Sequence, residues 1–126
     1  MSRNWRRPVL CLTTDRRRLA QALAQPQAEA LRLLSQQING AFRGGVDAVQ
    51  IRERDLDARD LARVVRDAMA SARGTRSIVV INDRVDVAIA EMSSGVHLRE
   101  DSMSVSAARL LLAGDQSVGR SVHDAA

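Results

Sequence analysis

A chain of 126 residues has room for one modest domain and not for two independent cores. At 45% hydrophobic and 27% charged it has the balance of a globular protein, but 2% aromatics require an aliphatic core and leave no stacking platform for nucleic-acid bases. The net charge of +4 rests on 19 arginines with no lysine, which excludes a lysine Schiff base or a lysine phosphate anchor and leaves any anion to guanidinium groups.

Residues 1–8 read as a basic, flexible N-terminus, and the arginines Arg3, Arg6, Arg7, Arg16, Arg17 and Arg18 as a solvated, frayed segment. Residues 9–126 form the domain. Val9 to Leu12 is a short apolar run, as expected of a strand covered on both faces, and it is too short for a signal sequence. Its Cys11 is unpaired, so the expectation is a buried, inert thiol in a reducing compartment, and the protein is placed in the cytoplasm. A helix follows over residues 28–42, with Ala30, Leu33, Leu34, Gln37, Ile38 and Ala41 on one stripe, and Gly44-Gly45 ends it.

Residues 48–51 make the second strand. In the next helix Asp57 serves as N-cap, and Leu61, Val64, Val65, Ala68 and Ala72 share a face. A β-branched strand over 77–81 stops at Asn82-Asp83-Arg84, a short helix spans 85–91, and Gly95-Val96-His97-Leu98 is a fourth strand. Ser104 caps a helix running to Leu112, with Ala107, Ala108 and Leu111 inward, and residues 117–122 form a fifth strand. Strand and helix alternate throughout, which argues for a parallel sheet of right-handed βαβ units. A doubly wound sheet lacks its glycine-rich phosphate turn here, since Leu12-Thr13-Thr14-Asp15 stands in that place. Polar residues instead gather at the carboxyl ends of successive strands, the pattern of a (β/α)₈ barrel, and five strands are about the first half of one.

Those strand ends carry the candidate chemistry. Gln50, Arg52 and Arg54 alternate along one side of a strand end, so one amide and two guanidinium forks face one spot, an arrangement suited to a diphosphate. The alternative pairs Arg52 and Arg54 with Glu53, Asp55 or Asp57 as a solvated rim. Asp83 offers a carboxylate for Mg²⁺, with Asp101 or Glu100 as a second, or else merely caps the helix beginning near Arg84. His97 reads as an interior histidine, whereas His123, beside Ser121 at a strand end, is placed to carry a proton. No spacing resembles a zinc site.

Four segments in order, namely residues 44–56, Ile81-Asn82-Asp83-Arg84-Val85, Gly95-Val96-His97-Leu98 and Gly119-Arg120-Ser121-Val122-His123, resemble the thiamine phosphate synthase/TenI superfamily. The resemblance implies the first half of a TIM (β/α)₈ barrel. The implied activity joins two small-molecule substrates, hydroxymethylpyrimidine diphosphate and thiazole phosphate, into thiamine phosphate with release of diphosphate. It implies substrate binding by Gln50, Arg52, Arg54, Asn82 and Ser121, and Mg²⁺ on Asp83 with Asp101 as the second acid. The chain departs from the family pattern at Arg54, where lysine is usual, and after Leu98, where Gly-Gln-x-Asp is usual and Arg99-Glu100-Asp101 stands. The TenI-like branch tautomerises thiazole phosphate with a histidine that His123 matches, and this is the alternative activity; a truncated, non-catalytic fragment is the other. No nucleic-acid or membrane partner is expected, and the uncovered edges of a half-barrel favour association with another half-barrel or a homo-oligomer.

Overall fold

The computed structural model describes residues 7–123. Arg3, Arg6 and the rest of residues 1–6, with residues 124–126, lie outside the described part. The elements follow one another as β1 (Cys11–Thr13), α1 (Arg16–Ala22), α2 (Ala30–Arg43), β2 (Ala48–Ile51), α3 (Ala58–Ala72), β3 (Ile78–Asn82), α4 (Val85–Ala90), β4 (Gly95–Leu98), α5 (Val105–Leu111) and β5 (Ser117–Arg120), with a single 3₁₀ turn, Gln27–Glu29, leading into α2.

All five strands are parallel and lie in the order β1-β2-β3-β4-β5. A doubly wound sheet reverses direction at a switch point. Here the order never reverses, so right-handed crossovers carry every helix to the same face. That is a barrel wall of five strands. Period-two alternation then sorts the side chains: Val49, Ile51, Val79, Ile81, Val96 and Leu98 are buried beneath the helices, while Gln50, Val80 and His97 point to the opposite, concave side and are only partly covered.

Local chemistry explains the helix starts. Asp57 accepts from the Asp60 amide at 2.8 Å and Ser104 from the Ala107 amide at 3.1 Å, each satisfying an orphan donor of the first turn. The α3 face of Leu61, Val65, Ala68 and Ala72 is buried as its spacing predicts. In α5 only Ala108 is buried, and Leu111 is exposed, contrary to expectation. The helix ends at Leu111, and the extended backbone of Leu112 turns that residue into the core instead.

Two further expectations fail near the N-terminus. Arg16, Arg17 and Arg18 belong to α1 and not to a frayed segment, because Asp15 caps the helix through the Arg18 amide at 3.1 Å and Ala20 is buried against α2. Cys11 is exposed, because β1 lies at an edge of the sheet and its residues 11 and 13 face away from the helices, leaving Leu12 to pack on the core. Its thiol is therefore expected to react fully with an aromatic disulfide reagent in the native protein, at a rate that denaturant hardly changes. A reaction that waits for unfolding would place the side chain elsewhere.

The amino end of the sheet is closed by Asp47. Its buried carboxylate accepts from the Leu10 amide at 2.8 Å and from the Arg7 guanidinium, which with that amide holds the carboxyl below the usual carboxylate range. Arg7, assigned by sequence to the flexible end, is thus docked. Among the described residues no helix is long and apolar enough to cross a membrane.

Candidate functional site at the carboxyl rim of the sheet

Strand β2 ends at Ile51, and the chain beyond it is held by a buried network that reaches back to the first loop. The Thr14 hydroxyl donates to Glu53 Oε2 at 2.7 Å and accepts from the Arg52 amide at 3.0 Å. Glu53 Oε1 receives the Arg16 amide at 3.1 Å and the Arg16 guanidinium at 3.0 Å, and the same guanidinium grips Asp55 at 2.7 and 3.0 Å. Arg16 therefore engages both acids that flank Arg54, Glu53 and Asp55. Its hydrogen bond holds the Asp55 carboxyl below the usual range. No ion pair to the side chain of Arg52 or Arg54 exists among the described residues, so the solvated-rim alternative loses its partners, while Asp57 is engaged as the α3 cap.

At the end of β3 the backbone turns sharply. Asp83 has φ +67, and the turn is fixed by hydrogen bonds from its amide to the His97 carbonyl at 2.8 Å and from the Arg84 amide to the Asn82 carbonyl at 2.7 Å. Aspartate is among the few residues other than glycine that tolerate this left-handed conformation. Its carboxylate caps nothing: α4 begins without a side-chain cap, and Asp83 Oδ1 instead accepts from the Ser102 hydroxyl. Ser102 also accepts from the Arg99 amide at 2.9 Å, which ties the loop after β4 to the turn after β3.

Strand β4 contributes His97, whose Nε2 lies 2.8 Å from Ser121 Oγ. Gly119 stands opposite His97 in the β4–β5 register, and a Cβ there would come within 3.0 Å of the imidazole Nδ1, so the glycine leaves room for the ring. Sequence reasoning assigned His97 to the interior. The register was the missed signal: Gly95 and His97 alternate with the buried Val96 and Leu98, so the imidazole must face the concave side. Beyond β4, the Arg99 guanidinium binds Asp101 at 2.9 Å, and beyond β5 the exposed His123 ring approaches Glu100 at 4.0 Å.

One cleft of about 560 Å³ gathers these strand ends. Gln50, Arg52, Arg54 and Asn82 line it from β2 and β3, and Asp101, Ser121 and His123 from the loops after β4 and β5. Asp83 lines an adjoining crevice that shares Arg54, Asn82 and Arg99 with the cleft. A Mg²⁺ ion usually takes one or two carboxylates and completes its shell with water and substrate phosphates. Asp83 fits that role as a single carboxylate with one oxygen engaged by Ser102. Asp101, the expected second acid, is held by Arg99 at the exposed rim, and no cluster of three or more acid, histidine or cysteine groups able to hold a metal occurs among the described residues.

A family model described as thiamine monophosphate synthase matches residues 20–126. A putative thiamine-phosphate synthase of Geobacter sulfurreducens is 42% identical over 86 residues, 68% of this chain and 40% of that protein. The thiamine-phosphate synthase of Azorhizobium caulinodans is 38% identical over 113 residues, 90% of this chain and 49% of its own. Among solved structures, the thiamine phosphate pyrophosphorylase of Pyrococcus furiosus superposes with a TM-score of 0.73 at 27% identity, over 91% of this chain and 50% of that one. The chain spans half or less of the length of these relatives.

Proposed function

The chain belongs to the thiamine monophosphate synthase family, and from that premise we propose that its rim binds hydroxymethylpyrimidine diphosphate and serves the transfer of the pyrimidine-methyl group to thiazole phosphate. The observation that carries this reading is the pairing pattern at β2: Arg16 takes Glu53 and Asp55, and leaves Arg52 and Arg54 facing one cleft with Gln50, Asn82 and Ser121.

In the proposed reaction the bond between the pyrimidine methylene carbon and the diphosphate oxygen breaks, and the thiazole nitrogen bonds to that carbon. The electron pair of the broken bond leaves with the diphosphate. Such a step needs negative charge neutralised at the leaving group more than it needs a base. Two guanidinium forks that line one cleft and, among the described residues, carry no carboxylate partner provide that. Gln50 and Asn82 offer amides to the pyrimidine and its diphosphate, and Ser121, held by His97, offers a hydroxyl. Asp83 is the residue that would hold Mg²⁺, which when bound supplies further neutralisation at the diphosphate oxygens.

The test is direct. Incubated with both substrates and Mg²⁺, the protein is expected to form thiamine phosphate, and Asp83→Asn to abolish the metal-dependent part; asparagine tolerates the left-handed turn, so the fold is retained. Product formation undiminished in Asp83→Asn would remove the metal role. A second reading, tautomerisation of thiazole phosphate, is favoured by the imidazoles of His97 and His123 lining the same cleft. It requires isomerisation without metal that is lost in His123→Ala.

A further inference from the structure

The cleft and the crevice beside it have one charged side chain in common besides Arg54, and that is Arg99. Its root is fixed: the Arg99 amide donates to Ser102 Oγ, and that hydroxyl donates to the Asp83 carboxylate, so the side chain springs from a loop pinned to the turn after β3. Its head is not fixed in the same way. The guanidinium is held by Asp101, and the Asp101 side chain is 72% exposed. An ion pair between neighbours in the chain at a solvated rim contributes little, because water and salt compete for both partners. A diphosphate in the cleft offers a planar fork two acceptor oxygens and more negative charge than a carboxylate carries, so it is the better partner.

We propose that Arg99 is a third diphosphate-binding arginine of this site, exchanging Asp101 for the ligand when the cleft fills. Asp101 is then a positioning residue: it keeps the guanidinium at the rim while the cleft is empty and releases it to the anion. The assignment rests on the reading of the cleft as a diphosphate site, and it gives Asp101 a role opposite to that of a metal ligand. A metal ligand strengthens diphosphate binding when present. A competing counterion weakens it.

Calorimetric titration with inorganic diphosphate, run in parallel with Mg²⁺ and with a chelator, tests the exchange. The wild-type protein is expected to bind under both conditions, and Arg99→Ala to bind about tenfold more weakly or worse in both, as loss of a hydrogen bond to a charged group implies. Arg99→Lys should recover part of the loss, since charge returns without the fork. Asp101→Asn should bind as tightly as wild type or up to about fivefold more tightly, the range set by an exposed pair. Binding by Arg99→Ala equal to wild type, or a loss in Asp101→Asn confined to the Mg²⁺ titration, overturns the exchange while leaving the diphosphate site intact. Failure of the wild-type protein to bind diphosphate under either condition overturns both the exchange and the reading beneath it. Circular dichroism of each variant separates these outcomes from misfolding.

Discussion

Converting Arg52 and Arg54 together to alanine is expected to lower affinity for diphosphate by at least about a hundredfold, with no loss of folding. The magnitude follows from two hydrogen-bonded contacts to a charged ligand at about 1.5–3 kcal/mol each. The absence of a folding penalty follows from the structure: neither guanidinium is part of the network that anchors the loop, which uses the backbone amide of Arg52 and the side chains of Thr14, Glu53 and Arg16. Arginines engaged in holding the fold would produce the reverse, a lower unfolding midpoint with binding reduced only in proportion. Titration with diphosphate beside urea unfolding of the same variant distinguishes the two. Affinity for diphosphate should also fall steeply with added salt in the wild type and less so in the double variant, since fewer charges then meet the ligand.

Glu53→Ala is the substitution expected to damage the fold most. The Glu53 side chain is 2% exposed and answers three donors: the Thr14 hydroxyl, the Arg16 amide and the Arg16 guanidinium. Removing one member of a buried ion pair costs about 3–5 kcal/mol, and here about 3 kcal/mol is expected, because Asp55 still holds the guanidinium. That is a large fraction of the stability of a small domain. Asp55 itself contributes less, being half exposed. Its carboxyl is lowered by the hydrogen bond from Arg16, so its contribution is present above the ordinary carboxylate value near about pH 4 and is lost as pH falls through the depressed folded value. Urea unfolding at pH 7 measures the Glu53 effect. A loss below about 1 kcal/mol, in the range of exposed pairs, would mean that the carboxylate is far better solvated than its surroundings indicate.

The parts of the molecule legible in sequence are those written in neighbouring residues. β2 and β4 emerge from short apolar runs flanked by polar residues or glycine, and α3 from a cap followed by a regular apolar stripe. The gathering of Gln50, Arg52, Arg54, Asn82 and Ser121 at one rim was readable because parallel strands all deliver their carboxyl ends to the same side. What escaped depends on partners distant in the chain. α1 hides behind three consecutive arginines, and its buried contact, Ala20, gains meaning only against α2. Arg16 as the counterion of Glu53 and Asp55 spans some forty positions, with nothing local to announce it. Which side chain meets Asp83 was equally hidden. The path of the loop after β4 decides it, and that path brings Ser102 to the carboxylate while Asp101 turns to Arg99.

The bracing of the β2 loop bears on where this unit can be cut. The family model matches from residue 20 onward, yet Thr14 and Arg16 lie upstream of that point, together with β1. A clone trimmed to the start of the family model would strip the hydroxyl and guanidinium from Glu53, leave the Asp47 carboxylate without Arg7 and the Leu10 amide, and uncover the flank of β2. The span of the family model and that of the braced loop therefore begin at different residues in this chain, and an expression design should follow the second.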